Sequence, residues 1–215
     1  MAPRVEKKLT IALNRGRVLA ECLPVLARVG IEPDEPIEGS RKLVFDSKCG
    51  AVRLIVVRGD DVPTYVEYGA ADLGITGKDT LLEHAGADYY ERLDLGIGRC
   101  RIMTASPIGA SEPSGTLRVA TKLVRVATRH FAARGRQVQI IRLAGAVEIA
   151  PVLGLADCIV DIVDTGNTLE ANGLEAREVV AEVTARVIVN RASSKTRFDE
   201  IEALLDRLRK AATKR

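Results

Sequence analysis

Short apolar runs alternate with amphipathic segments along most of the chain. Residues 9–13 form the run LTIAL, and apolar residues then recur at helical spacing up to Gly30. The run ADLGIT at 71–76 precedes GKDTLLEHAG, and LRVAT at 117–121 precedes KLVRVATRHFAARG. Such alternation is typical of strand–loop–helix units, whose crossovers bring successive strands back in the same direction. The sequence therefore predicts an α/β fold built on mostly parallel sheets.

Two long extended stretches flank the middle of the chain. Residues 179–189, VVAEVTARVIV, alternate strictly and would span about 36 Å as one strand, roughly twice the usual length. Residues 91–105 form a second such stretch. Two crossovers around an inserted α/β unit predict two lobes with a cleft between them, lobe I at 1–96 plus 181–215 and lobe II at 97–180. A single continuous sheet with two long strands is the alternative interpretation.

Composition excludes several classes of protein. A net charge of +3, 3% aromatic residues and no tryptophan argue against a nucleic-acid-binding surface. The apolar runs are far shorter than the roughly 18 residues that span a bilayer, and the first residues do not resemble a secretory signal. Four cysteines without a Cys-x-x-Cys pair favour reduced thiols in the cytoplasm, and two histidines are too few for most metal clusters. A small anionic metabolite remains compatible as a ligand.

The turn DTGNT at 164–168 follows the apolar run ADCIVDIV directly. Gly166 permits a tight turn whose backbone N–H groups converge on an anion, and Thr165, Asn167 and Thr168 add hydrogen-bonding side chains. We expect a helix to begin at Thr168 and to direct its positive end toward the same place. The pattern predicts a phosphate-binding turn without a lysine, and an Asx turn with a helix cap and no ligand is the alternative.

Two carboxylates, Asp161 and Asp164, lie at the start of this turn. They cannot bind phosphate, but they can accept hydrogen bonds from vicinal hydroxyls or hold Mg²⁺ through water. A phosphate turn beside acceptors for hydroxyls predicts a site for a ribose 5-phosphate. Glu148, just after another predicted strand, is a candidate for orienting a substrate hydroxyl, with a position near a helix start as the alternative.

Cationic or amide-rich loops follow several other predicted strands. In open α/β sheets these loops bind ligands, and paired guanidiniums suit a diphosphate or triphosphate. Solvated surface arginines are the alternative interpretation for each. The loops contain Arg15, Gly16 and Arg17 after the first strand, Arg58 with Asp60 and Asp61, and Gly77 with Lys78. Arg99 and Arg101 would lie on one side of an extended crossover stretch that faces the cleft, with surface exposure as the alternative for at least one of them. Together with one carboxylate pair, these groups predict two phosphorylated substrates held together.

Residues 148–174, EIAPVLGLADCIVDIVDTGNTLEANGL, resemble the signature of the ATP phosphoribosyltransferase family. The segments IALNRGR, RGDDVP, ADLGITGKD and RLDLGIGRCRI are similar to other parts of that family and occur in the same order. The resemblance implies two α/β lobes like those of type II periplasmic solute-binding proteins. It also implies the first step of histidine biosynthesis, in which adenine N1 of ATP attacks C1 of phosphoribosyl pyrophosphate and pyrophosphate leaves, with Mg²⁺ as cofactor.

The resemblance also assigns roles to residues of this chain. Asp161 and Asp164 would hold the ribose hydroxyls, residues 165–168 the 5-phosphate, and Arg15, Glu148 and Asp161 would be the catalytic residues. A larger set, which again includes Arg15, would bind ATP or the departing pyrophosphate. Its members are Arg15, Gly16, Arg17, Arg58, Asp60, Asp72, Thr76, Gly77 and Arg99.

The 215-residue length is similar to that of the short form of the family. The resemblance implies a cytoplasmic homodimer that joins a histidyl-tRNA-synthetase-like regulatory subunit in a hetero-octamer, with neither nucleic acid nor membrane as a partner. Two other functions stay open from the sequence. One is a non-catalytic binding module with the same bilobal shape, and the other is a phosphoribosyltransferase that uses a different base.

Overall fold

The computed structural model describes residues 8–86, 88–111 and 113–213 of the chain. The chain divides into two compact units. The first consists of the residues up to Gly98 and those from Thr184 onward, and the second is Arg99–Val183. No helix in the described ranges is long and apolar enough to cross a membrane.

Strands alternate with helices over much of the chain, as the apolar pattern predicts, and consecutive strands occur at β2-β3, β5-β6-β7 and β10-β11. The strands are β1 Leu9–Asn14, β2 Val44–Asp46, β3 Val52–Val57, β4 Leu73–Gly77, β5 Tyr89–Asp94, β6 Cys100–Pro107, β7 Leu117–Thr121, β8 Val138–Arg142, β9 Cys158–Val163, β10 Leu174–Val183 and β11 Ala185–Asn190. The α-helices are α1 Arg17–Arg28, α2 Val62–Glu67, α3 Lys78–Glu83, α4 Val124–Ala132, α5 Ile149–Val152, α6 Asn167–Ala171, α7 Ser193–Thr196 and α8 Phe198–Thr213. A 3₁₀ turn covers Gly59–Asp61.

Both sheets are mixed rather than mostly parallel. The first unit has the order β2-β3-β1-β4-β11-β5, and the second has β10-β6-β9-β7-β8. Three parallel neighbours lie inside each sheet, β3-β1-β4 in one and β9-β7-β8 in the other. The strands outside each trio pair antiparallel. The parallel trios set the positions of the candidate site loops, because their carboxyl ends meet at one edge of each sheet.

The two long stretches are each interrupted. Gly96 and Gly98 adopt left-handed φ values of +66° and +63° between β5 and β6, a conformation that ends a strand. Thr184 separates β10 from β11. The predicted eleven-residue strand at 179–189 is therefore two strands, one in each sheet. Strict alternation carries no signal for such a break, since both halves keep the same pattern.

Each face of the first sheet is packed by a helix layer. Ile11 and Leu13 lie in a core that includes Leu204 and Leu208 of α8. Ala12, which points the other way because side chains alternate along a strand, packs in a smaller cluster with Val62 and Val66 of α2. By contrast, Phe198 at the start of α8 is exposed, although it continues the same apolar stripe.

We expect Gly74→Ala to lower the free energy of unfolding by about 1–3 kcal/mol, as overpacking of a core does. A Cβ at Gly74 would lie 2.7 Å from Val62 Cγ1 and 2.8 Å from Val66 Cγ2, both on stiff β-branched side chains. Urea denaturation measures the change. Gly145→Ala is the control, because nothing lies within 4 Å of a Cβ there. Equal stability of the Gly74 variant and the parent chain would contradict this packing.

Candidate active site

A cavity of about 250 Å³ lies at the carboxyl end of β9 in the second unit. The sequence motif at 161–168 forms most of its wall, and Glu148 completes it. Glu148 occupies the position before α5, and its side chain makes no capping hydrogen bond there. The structure thus brings together the three acidic residues and the turn that the sequence predicts as a donor site.

The turn itself has an open, left-handed geometry at Gly166. Its φ is +92°, and nothing lies within 4 Å of a Cβ placed there. The N–H of Asn167 lies 3.5 Å from Thr165 Oγ1, and no side chain caps α6. Both interpretations of the turn remain open, because Thr165 Oγ1 accepts from the Asn167 N–H while the first turn of α6 has no side-chain cap and its N–H groups can donate to a ligand. Helix α6 begins at Asn167, one residue before the predicted start, and has only five residues.

Asp161 and Asp164 differ in their surroundings. Burial raises the pKa of Asp161, and the nearby Glu148 raises it further, while the Ile162 backbone N–H and Lys122 act in the opposite direction. Asp164 is exposed at the mouth of the turn. A desolvated carboxylate next to open hydrogen-bond donors is a frequent feature of functional sites.

The first unit carries a cationic edge at the ends of its parallel strands. Arg15 and Gly16 follow β1, and Arg58 follows β3. In the described part of the chain, no hydrogen bond or ion pair occupies the exposed side chains of Arg15 and Arg58. Arg17 begins α1, and its Nη2 lies 3.4 Å from the Gly98 carbonyl oxygen. Unpaired guanidiniums at a strand edge are suited to bidentate binding of phosphate.

Asn14 and Gly59 are features of this edge that the sequence interpretation missed. A Cβ at Gly59 would lie 2.8 Å from Asn14 Oδ1, so a glycine is needed for the two loops to approach each other. The Thr76 hydroxyl donates to the Gly59 carbonyl at 3.3 Å. Thr76 is fully buried, and its hydrogen bond holds the 3₁₀ turn that follows Arg58 and contains Asp60. The glycine of the RGDD segment is the feature of the sequence that could have indicated this close approach.

Asp72 lies apart from the other residues that the sequence predicts as ATP or pyrophosphate ligands. It precedes β4 and so lies at the amino end of that strand, opposite to the edge that carries Gly77. Its buried carboxylate accepts hydrogen bonds from Thr10 N at 2.9 Å and Ser193 Oγ at 2.7 Å, and it pairs with Arg197 at 3.2 Å. These contacts join β1, β4 and the C-terminal segment, so Asp72 serves the fold.

The remaining predicted residues lie at the ends of strands and helices or in turns. Gly77 is buried, and a Cβ there would collide with the Asp79 carboxylate. Lys78 Nζ pairs with Glu91 at 2.6 Å. Asp60 and Arg99 are exposed.

A larger cavity of about 590 Å³ lies at the other end of the second unit's sheet. It contacts Leu117 and Cys158, the first residues of β7 and β9, and is lined by three arginines, Arg134, Arg136 and Arg177. Among the described residues on its wall, none belongs to the predicted site. Size alone therefore does not identify the candidate active site in this chain.

Comparisons with known proteins agree with the motif. The HisG family model, described as ATP phosphoribosyltransferase, matches residues 58–210. An ATP phosphoribosyltransferase from Pseudomonas syringae pv. syringae is 57% identical over 207 residues, 96% of this chain and 98% of that protein. One from Teredinibacter turnerae is 57% identical over 208 residues, 97% of this chain and 98% of that protein.

Comparison with solved structures supports the same family and shows which other proteins share the fold. A chain of the ATP phosphoribosyl transferase (HisG:HisZ) complex from Thermotoga maritima aligns with a TM-score of 0.82 and 32% identity, over 95% of this chain and 98% of that one. The periplasmic aliphatic sulphonate binding protein SsuA from Escherichia coli aligns with a TM-score of 0.63 and 15% identity, over 95% of this chain and 68% of that one. The second likeness concerns the fold alone. The chain belongs to the ATP phosphoribosyltransferase family, whose reaction is the first step of histidine biosynthesis.

Proposed function

We propose that the cavity at the end of β9 binds phosphoribosyl pyrophosphate, the sugar donor of the family reaction. The observation that carries this proposal is the open left-handed turn at Gly166 beside a desolvated carboxylate. The backbone N–H groups of the turn and the hydroxyls of Thr165 and Thr168 donate to the 5-phosphate. Because α6 is short, these individual donors and not a helix dipole supply most of the binding.

Asp161 and Asp164 accept hydrogen bonds from the ribose hydroxyls in this proposal. Substitution at C1 develops positive charge on the sugar and negative charge on the leaving pyrophosphate. An ionised Asp161 close to the ribose stabilises the first charge, and Glu148 on the same cavity wall adds to that field. Positioning and electrostatics then lower the barrier without a covalent nucleophile.

The cationic edge of the first unit binds ATP or the departing pyrophosphate. Arg15 and Arg58 have no competing partner among the described residues, so each can form a bidentate fork with phosphate. Arg17 and Asp60 complete the proposed set at this edge, together with the backbone at Gly16 and Gly77. Arg99, the first residue of the second unit, stays a predicted contact for ATP or pyrophosphate. Thr76 contributes by holding the loop of Arg58 in place.

Magnesium fits the site as an ion carried by the substrate. In the described ranges, no group of three or more metal-binding side chains comes together. Mg²⁺ is commonly held by substrate phosphates with one or two carboxylates, often through water. We propose that Asp161 and Asp164 supply those carboxylate contacts. When bound, the ion neutralises charge on the leaving pyrophosphate.

The protein partner is a further part of the proposal. The Thermotoga maritima structure is of a HisG:HisZ complex, and its HisG chain aligns over nearly the full length of this one. We propose that this chain likewise forms a homodimer that assembles with a HisZ-like regulatory subunit, in a hetero-octamer as the short form of the family implies.

An activity assay tests the proposed function. The purified chain is mixed with ATP, phosphoribosyl pyrophosphate and Mg²⁺, with and without a HisZ-like subunit. We expect pyrophosphate release that depends on both substrates. Replacing ATP with a panel of free bases separates this activity from other phosphoribosyltransferases. Absence of product even with the regulatory subunit would contradict the proposal.

Asp161→Asn should increase stability at neutral pH while it weakens donor binding. Burial raises the pKa of Asp161, so the ionised form is disfavoured in the folded chain. This cost is absent below the pKa of the unfolded state and grows as the pH rises through the higher folded-state pKa. Urea denaturation across pH should therefore show a stability gain for Asp161→Asn that disappears in acid.

Asp164→Asn is the matched control, since Asp164 is exposed in the same turn. We expect no comparable stability gain from it. A less stable Asp161→Asn chain at neutral pH would contradict the stated role of burial. In activity assays, the acid limb assigned to ionisation of Asp161 should be absent from the Asp161→Asn variant.

A further inference from the structure

The donor cavity contains acidic side chains but no basic ones. Glu148, Asp161 and Asp164 line it, and among the described residues on its wall there is no lysine, arginine or histidine. The proposed donor carries a 5-phosphate and a diphosphate, so bringing it there places several negative charges beside carboxylates. Like charges at short range oppose binding strongly where water is partly excluded. A basic side chain close to the cavity but outside its wall would offset this repulsion, in addition to the Mg²⁺ that the substrate carries.

Strand register brings one lysine to this position. Strands β7 and β9 are parallel neighbours, with Val119 beside Cys158 and Ala120 beside Ile159. Continuing the same one-to-one register places Thr121 beside Val160 and Lys122 beside Asp161. The Thr121 hydroxyl donates to the Val160 carbonyl at 2.6 Å, which supports that continuation. Lys122 thus emerges at the same sheet edge as the phosphate turn.

The backbone around Lys122 is fixed while its side chain is exposed. Thr121 is fully buried, and its Oγ1 accepts a hydrogen bond from Leu123 N at 2.8 Å, just before α4 begins. No hydrogen bond or ion pair to another described residue holds the Lys122 side chain, and its charge acts on Asp161. It is also the only lysine in the sequence between residues 99 and 183.

We propose that Lys122 binds a phosphate group of the sugar donor and supplies the cation that the phosphate turn lacks. Adjacent strands are about 4.8 Å apart, and the four-carbon stem of lysine covers that distance with an ammonium that donates up to three hydrogen bonds. The inference rests on the proposed function, because it takes the cavity after β9 as the donor site. It adds the residue that follows β7 to a site otherwise built from the end of β9, the turn after it and Glu148.

Calorimetric titration of the full chain with phosphoribosyl pyrophosphate and Mg²⁺ tests the proposal. Lys122→Ala should weaken donor affinity by about tenfold or more, the loss expected for a hydrogen bond to a charged group. Lys122→Arg should retain affinity within about threefold, since the charge and donors remain. Lys210→Ala, an exposed lysine on α8 in the first unit, should bind as the parent chain does. ATP affinity should stay the same in all three variants.

Two fragments of the donor identify which phosphate Lys122 contacts. A selective loss of ribose 5-phosphate binding in Lys122→Ala assigns it to the 5-phosphate, and a selective loss of pyrophosphate binding assigns it to the diphosphate. Lysine acylation followed by peptide mass spectrometry gives an independent readout. Phosphoribosyl pyrophosphate should protect Lys122, and it should leave Lys210 reactive.

Two outcomes would overturn the role of Lys122 while leaving the proposed function intact. One is equal donor affinity in Lys122→Ala and the parent chain. The other is a change confined to the pH dependence of donor binding, which would mean that Lys122 acts only through Asp161. If the parent chain itself fails to bind phosphoribosyl pyrophosphate, the proposed function and this inference are both wrong.

Discussion

Gly166→Val abolishes binding of phosphoribosyl pyrophosphate while the chain stays folded, if the phosphate turn works as proposed. Gly166 has a φ of +92°, where a β-branched residue is strongly disfavoured, at a cost of about 1–2 kcal/mol for an ordinary side chain. The turn relaxes to relieve that strain and moves its N–H groups away from the phosphate. A displacement of about 1 Å at a positioning group can cost a hundredfold. We expect calorimetry to show at least about that loss in affinity.

Gly135→Val is the control that separates the effect of backbone strain on stability from the effect of moving the phosphate turn on donor binding. Gly135 also has a positive φ, +64°, and open space around a Cβ, but it follows α4 outside the cavity wall. Thermal unfolding should therefore show a similar stability loss in both variants, and only Gly166→Val should lose donor binding. Unchanged donor affinity in Gly166→Val would place the 5-phosphate elsewhere.

Arg15→Ala is expected to lower kcat/KM by about 10²–10³, equivalent to roughly 3–4 kcal/mol, the range seen when one preorganised donor to a developing charge is removed. Arg15 is exposed at the end of β1, and its backbone N–H donates to the Val57 carbonyl at 2.9 Å. That hydrogen bond fixes the loop, so truncation of the side chain leaves the backbone in place. Steady-state kinetics with both substrates varied measures the effect.

Arg41→Ala is the matched control for this loss. Arg41 is likewise exposed and, within the described ranges, has no hydrogen bond or ion pair through its side chain. It precedes β2 and lies outside the cationic strand edge. Activity in Arg41→Ala should equal that of the parent chain. A loss below about threefold in Arg15→Ala would remove Arg15 from the catalytic set.

Local signals explain why the donor turn could be predicted. The order of buried strand, aspartate, glycine turn and short helix depends on residues that are adjacent in the chain, so 161–168 needed no tertiary information. Glu148 joins the same cavity because α5 follows β8, the parallel neighbour of β7. Composition and spacing could not give the antiparallel strands around each parallel trio, because pairing direction depends on long-range contacts.

Non-local contacts determine the surroundings of two residues that the sequence predicts as ATP or pyrophosphate ligands. Asp72 matches a family segment, but the carboxylate is taken by Thr10, Ser193 and Arg197, up to 125 positions away. Thr76 sits in a suitable loop motif, yet its hydroxyl turns inward to Gly59. Lys122 was overlooked because its relation to Asp161 exists only through the pairing of β7 with β9. The local sequence does not show in which direction a side chain points or which strands pair, and both were needed to place these three residues.

A crystal structure of the chain with phosphoribosyl pyrophosphate and Mg²⁺ decides whether the turn at 165–168 binds the 5-phosphate. We expect the 5-phosphate oxygens within about 2.7–3.2 Å of N–H groups in that turn. We also expect the ribose hydroxyls at hydrogen-bond distance from the Asp161 and Asp164 carboxylates. A bound donor whose 5-phosphate lies away from that turn, with the turn left to solvent, would contradict the proposal.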